Sequence, residues 1–156
     1  MKNEELFMLN QAITTVGNLS GVKFAYAIAK NKKVIETEIE VLKESVKPSE
    51  KFTEYEKKKA EIVKKYADKD EKGNYKADAN NQYVVETQKV EFEKEVAPLN
   101  EEYKEEIDKR DAQVKEFNEV MLKAEAKFIP FKIKKEDVPV NITVAQTTAI
   151  FSLIEE

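Results

Sequence analysis

The chain has 156 residues, 41% of them hydrophobic and 37% charged, and 27 Lys and Arg against 31 Asp and Glu give a net charge of −4. That is enough chain for one core without staples and too apolar for disorder, while three Gly and four Pro are too few for the turns of an all-β fold. With no Cys and no His, disulfides, thiolate nucleophiles, zinc ribbons and His-dependent catalytic motifs are excluded, and an acidic chain whose only Arg is Arg110 is poorly suited to nucleic acid.

Asn3 is placed to cap a first helix, with Glu4 and Glu5 at its positive end and Leu6, Leu9, Ile13 and Val16 along one face. Gly17 is its expected stop. The apolar stretch Leu6 to Leu9 is far too short for a signal-peptide core, and no run of apolar residues is long enough to cross a membrane, so neither is expected.

After Gly21 a second helix carries Ala25, Ile28, Ile35, Ile39, Leu42 and Val46 as a heptad seam, broken where Asn31 and Lys32 intrude. Pro48 forces a boundary or kink, and Ser49 restarts a helix with Phe52, Tyr55, Ile62 and Tyr66 on one side. Residues 68–86 read as a loop with a small hairpin, turning at Lys72-Gly73-Asn74 and at Asn80-Asn81. From Thr87 to Lys127 a helical pattern returns, interrupted by Pro98 and stuttering between Tyr103 and Ile107; it predicts a helix roughly 60 Å long.

The period then changes. Ile129, Phe131 and Ile133 alternate as in a strand that Pro130 confines to an edge, with 138–142 as a segment to pair back onto it. Thr143 and Gln146 form a capping box for a last helix with Val144, Ile150, Phe151, Leu153 and Ile154 as its apolar face. Helix is expected over more than about half of the residues. The fold class is mainly α (α+β), a single domain over 1–156. It comprises a helical stalk, about 22–127, and a small head built from 1–21 and 128–156, with a short β element and a C-terminal helix. The stalk is a long helical hairpin, or a three-helix stalk if the chain reverses at Pro48.

Each motif with a chemical reading also has a structural one. Ser20-Gly21-Val22-Lys23 matches S-x-x-K, but its companion motifs are missing and a helix cap suffices. Asp68, Asp70, Gly73 and Asn74 resemble the start of a calcium loop, yet Lys72 and Ala79 occupy two ligand positions, which leaves a polar turn. Glu101-Glu102 and Glu105-Glu106 lie on an exposed helix face, where carboxylates stay solvated. Gly17 and Gly21 are four apart outside any apolar span and punctuate a loop. The Lys clusters at 30–33, 57–59 and 64–65 are flanked by Glu and read as i,i+4 partners, and Tyr75 with Tyr83 as a hairpin pair. No catalytic, cofactor-binding or metal-binding residue is assigned, and no cofactor is expected. The candidate interaction face is the seam of Ile28, Ile35, Ile39 and Leu42 with Phe117 and Met121, which offers more apolar positions than one two-helix contact buries and therefore predicts a homodimer.

Three stretches together resemble a family of small helix-rich proteins encoded by tailed bacteriophages and prophages. They are Leu19 through Asn31, Glu61 through Gly73 with its Lys65-Tyr66-Ala67-Asp68-Lys69-Asp70 core, and the close from Lys132 through Thr143, Gln146 and Leu153-Ile154-Glu155-Glu156. The family carries no assigned activity and no functional residues to transfer. The resemblance implies a viral origin, the host cytoplasm or the virion as setting, and phage or host proteins as partners. The expected function is a non-enzymatic virion or assembly accessory, with a phage effector that blocks a host defence protein as the alternative and a Lys-rich nucleic-acid binder as the least favoured reading.

Overall fold

The computed structural model describes residues 1–155. The protein is mainly α, with 64% of its residues helical. Its α-helices are α1 (Asn3–Val16), α2 (Val22–Ser45), α3 (Glu50–Tyr66), α4 (Lys89–Glu102), α5 (Lys104–Glu116) and α6 (Val144–Ala149). A π-turn at Phe117–Met121 follows α5, and two 3₁₀ turns lie at Lys135–Asp137 and Phe151–Leu153. The chain folds as two compact units, one of Met1–Lys47 with the C-terminal segment from Lys115, the other Pro48–Val114. Of the expected stalk, residues 22–47 and 115–127 belong to the first unit and 48–114 make up the second.

Local side-chain signals account for the starts of α3 and α6. Ser49 Oγ accepts the Phe52 N–H at 3.0 Å and starts α3, as expected of a residue following Pro48. The capping box of α6 is present: Thr143 Oγ1 accepts from Gln146 N–H (3.2 Å) and Gln146 Oε1 accepts from Thr143 N–H (3.0 Å). The start of α1 differs from expectation. Lys2 is its N-cap, and Asn3 lies inside the helix, its amide donating to the Met121 carbonyl at 2.8 Å. The Asn3 and Glu4 N–H groups donate to the carbonyls of Ala124 (3.0 Å) and Leu122 (2.9 Å). The unpaired donors opening one helix are thus satisfied by the unpaired acceptors closing another, which also sets opposite dipole ends together.

The single long helix expected from 87 to 127 is not formed. It is interrupted at Tyr103, whose φ of −103° and ψ of 12° leave the helical region, and ends in the π-turn, where Leu122 N–H bonds back five residues to the Phe117 carbonyl at 2.9 Å. The C-terminal helix is also shorter than its pattern: α6 stops at Ala149 and a 3₁₀ turn follows, burying Ile150, Leu153 and Ile154 while Val144 and Phe151 face solvent.

In the first unit, Leu6, Leu9, Ile13 and Val16 of α1 pack with Phe24, Ile28, Ile35 and Ile39 of α2, closed by Phe128, Ile133, Ile150 and Leu153. The second unit has a smaller core in which Tyr55, Leu99 and Tyr103 meet, ringed by Phe52, Ile62 and Ile107. Across its rim Tyr55 Oη donates to Asn100 Oδ1 (2.9 Å), and the Lys65 ammonium pairs with Glu95 (2.6 Å). Surface pairs of this kind contribute about 0–1 kcal/mol each, so α3 and α4 are held chiefly by their aromatic contacts.

Between α3 and α4 the expected hairpin turns are present, as two copies of one eight-residue unit. In the first, Asp70 Oδ1 accepts the N–H groups of Lys72 and Asn74. In the second, Asp78 Oδ1 accepts those of Asn80 and Gln82. Gly73 and Asn81 take φ values of 83° and 60° at the same place in each turn. Residues 68, 76 and 84, eight apart, then bond in a closed ring: Asp68 N–H to Val84 carbonyl, Lys76 N–H to Asp68 carbonyl and Val84 N–H to Lys76 carbonyl, at 2.8, 2.8 and 3.0 Å. Tyr75 and Tyr83, also eight apart, meet with their ring centroids 5.0 Å apart and their planes tilted by 47°.

Candidate functional site

A concave site lies in the first unit, between the start of α2 and the extended segment 131–134, and its origin is Asn31. That residue, which breaks the heptad pattern of α2, is 1% exposed. Its Oδ1 accepts the Phe131 N–H at 2.8 Å, and its Nδ2 donates to the Phe131 carbonyl at 2.8 Å and to the Ala27 carbonyl at 3.0 Å. A primary amide presents one donor and one acceptor side by side, as a neighbouring strand does, so Asn31 holds the backbone of 131 as a strand partner would. Two residues on, Ile133 N–H donates to the Leu153 carbonyl (2.7 Å) and Glu155 N–H to the Ile133 carbonyl (2.8 Å), a short parallel pairing.

This arrangement corrects the expected β element. Among the described residues there are isolated bridges but no strand, and the partner of Ile133 is the C-terminal segment rather than 138–142. Residues 138–142 instead form a turn closed by Ile142 N–H to the Pro139 carbonyl (3.1 Å). The alternation of Ile129, Phe131 and Ile133 also fails: Ile133 and Phe128 are buried, but Ile129 is 87% exposed. Pro130, lacking an N–H and fixed in φ, prevents the regular ladder that would hold alternate residues on one face.

The groove so formed has a volume of about 520 Å³, within the range of ligand-sized clefts. Its apolar part is Val22, Tyr26, Ala27, Phe131 and Ile133. Tyr26 meets Phe131 edge to face, with centroids 5.8 Å apart and an interplanar angle of 83°. The Lys30 ammonium lies 4.2 Å from the Phe131 ring centroid. Val22 and Tyr26 remain 90% and 61% exposed at the rim. A second groove of similar volume, in the other unit, is lined by Phe52, Tyr83, Val85 and Phe92 among others, with Glu56 and Lys59 as its charges.

The expected interaction face is a different set of residues. Ile28, Ile35, Ile39 and Leu42 are at most 6% exposed, and Phe117 and Met121 are half-buried. Ile28, Ile35 and Ile39 are core of their own unit, packed with α1 and the C-terminal segment. The remaining motifs keep their structural roles. Ser20 is exposed and Gly21, with φ of 132°, is the cap of α2, while Lys23 pairs with Asp137 at 3.3 Å. Asp70 serves its turn: the Asn74 backbone N–H, the Asn74 amide and the Lys72 N–H hold its carboxyl below the usual range. Glu105 is also held below that range, by the Lys109 ammonium at 2.7 Å. Of the Lys clusters, Lys32–Glu36 and Lys58–Glu54 are i,i+4 pairs, whereas Lys65 crosses to Glu95 on α4. Hydrogen bonds from Lys65 and Tyr66 keep the Glu95 carboxyl low, and bonds to Tyr103 and Glu54 raise Lys58.

The groove was not legible beforehand because its walls are about a hundred residues apart in sequence; the visible signal was the misfit of Asn31 in an apolar seam. The fold defines a mainly α protein of two units with an amphipathic groove in one of them. No family model matches the chain, and neither a curated protein nor a solved structure does.

Proposed function

We propose that the chain is a non-enzymatic phage protein that acts through protein–protein contacts, as a virion or assembly accessory. The observation that carries this reading is the groove of the first unit, where Val22 and Tyr26 stay exposed beside a core that is complete without them. Exposed apolar residues gathered round a concave surface are typical of interaction sites. The resemblance to phage and prophage proteins supplies the setting. A non-catalytic role is supported by the residues themselves: there is no His or Cys, and Glu105, Glu95, Asp68 and Asp70 have carboxyls held low by hydrogen bonds, the opposite of an acid poised to deliver a proton near neutral pH. No described helix is long and apolar enough to cross a membrane.

The test is co-sedimentation of the tagged chain with particles of the phage that encodes it, comparing wild type with Tyr26→Asp. Wild type should travel with the particles or with an assembly intermediate, and Tyr26→Asp should not. Absence from both, together with stoichiometric capture of one host protein, would replace the assembly role with the effector role.

A further inference from the structure

The charges around the groove of the first unit do not cancel. Lys23 and Asp137 neutralise one another at 3.3 Å. Among the described residues that leaves Lys132 and Lys134 on the lining and Lys30 over the Phe131 ring, against the single carboxylate of Glu155. None of these three ammonium groups has a carboxylate partner among the described residues; Lys132 Nζ donates instead to the Ser152 carbonyl at 2.9 Å. In a chain of net charge −4, this is a local excess of positive charge bordering exposed aromatic surface.

The backbone beside the groove is also unpaired on one edge. In an extended chain, successive residues direct their N–H and C=O groups to opposite sides. Asn31 takes both groups of Phe131, and Leu153 and Glu155 take those of Ile133, so these two residues use the same edge. Lys132, between them, directs its N–H and C=O to the other edge, and neither has a partner among the described residues. An added extended segment satisfies such groups.

We propose that this groove takes an acidic, extended segment of a partner protein, anchored by one apolar or aromatic side chain. The anchor sits against Tyr26 and Phe131, the carboxylates of the segment meet Lys30, Lys132 and Lys134, and its main chain pairs with Lys132. This rests on the protein-binding reading above and names the partner's chemistry.

The experiment is fluorescence anisotropy of the intact chain with four labelled decapeptides. The first is Asp-Glu-Asp-Glu-Phe-Asp-Leu-Glu-Asp-Glu. The others replace its acids by Asn and Gln, replace its acids by Lys, or replace its Phe and Leu by Ser. The acidic anchored peptide should bind on the order of tenfold tighter than the amide version, and more weakly as salt rises from about 0.05 to about 0.3 M. The triple variant Lys30→Glu, Lys132→Glu and Lys134→Glu changes exposed or half-exposed groups and should reverse the preference in favour of the Lys peptide. Tyr26→Ser should weaken the anchored peptide toward the level of the anchorless one. Equal binding of acidic and amide peptides, or a preference that survives the triple reversal, overturns the assigned chemistry while leaving the protein-binding reading to the particle experiment. No binding of any peptide at about 100 µM overturns the inference itself, whatever the particles show.

Discussion

Replacing Asn31 probes the contact on which the first unit's groove depends. Asn31→Leu keeps the number and branching of the side-chain heavy atoms, but the Phe131 N–H and C=O lose the partners they meet at 2.8 Å. Each polar group left unsatisfied in a partly buried setting costs about 1–3 kcal/mol, and added apolar burial by Leu returns about 1 kcal/mol. The net destabilisation should be about 1–5 kcal/mol. Asn31→Asp keeps the acceptor for the Phe131 N–H but turns a second oxygen toward the carbonyls of Phe131 and Ala27. Its folded pKa must then rise above the unfolded value of about 3.9, because only the protonated acid can donate to those carbonyls. The penalty is therefore absent below the unfolded pKa and complete once pH exceeds the folded pKa. Urea denaturation followed at 222 nm gives the magnitude, and hydrogen exchange locates it: amides of 128–134 and 153–155 should lose protection in both variants, with Asn31→Asp recovering toward wild type near pH 4. A shift under about 0.5 kcal/mol in Asn31→Leu, with unchanged exchange at Phe131 and Ile133, would refute the clamp.

Ile39→Asp places a carboxylate at a position 5% exposed in the first unit's core and should cost several kcal/mol, seen as loss of the cooperative thermal transition; a folded variant whose change is confined to mass by light scattering would show the seam to be an interface instead. Gly73→Ala meets no atom within 4 Å, so its cost is conformational alone, about 1 kcal/mol for a φ of 83°, whereas Asn81→Gly should be neutral; near-UV dichroism of the tyrosines reports both. Asp68 is held below its ordinary pKa by hydrogen bonds from the Thr87 hydroxyl and the Glu86 N–H, and Asp70 by those from Asn74. Lowered pKa values stabilise the hairpin above the unfolded pKa and lose that effect as pH falls through the folded one, so its amides should exchange faster below about pH 4 while those of α1 and α2 hold.

What could be read in advance was local. Ser49 and Thr143 announce α3 and α6 because a cap needs only a side chain within three residues of the donor it satisfies. The turns at Gly73 and Asn81 were visible for the same reason, and the eight-residue spacing of Asp70 with Asp78 and of Tyr75 with Tyr83 was present in the sequence to be counted. Apolar periodicity marked Ile28, Ile35, Ile39 and Leu42 of α2 as inward-facing, since burial needs only that some partner exist, but it also counted Ala25, which is exposed, and passed over the buried Phe24, Ala27 and Asn31. It did not say which partner: Ile28, Ile35 and Ile39 are packed with the chain's own α1 and with residues more than 80 positions away. The capping of α1 by the carbonyls of 121–124 and the bonding of Asn31 to Phe131 are likewise contacts between distant residues. Sequence by itself determined a charged, helix-rich chain with punctuation at Pro48, 72–74 and Thr143; tertiary structure decided the two units and the groove, because a buried polar side chain reveals its purpose only when the backbone it binds is brought to it.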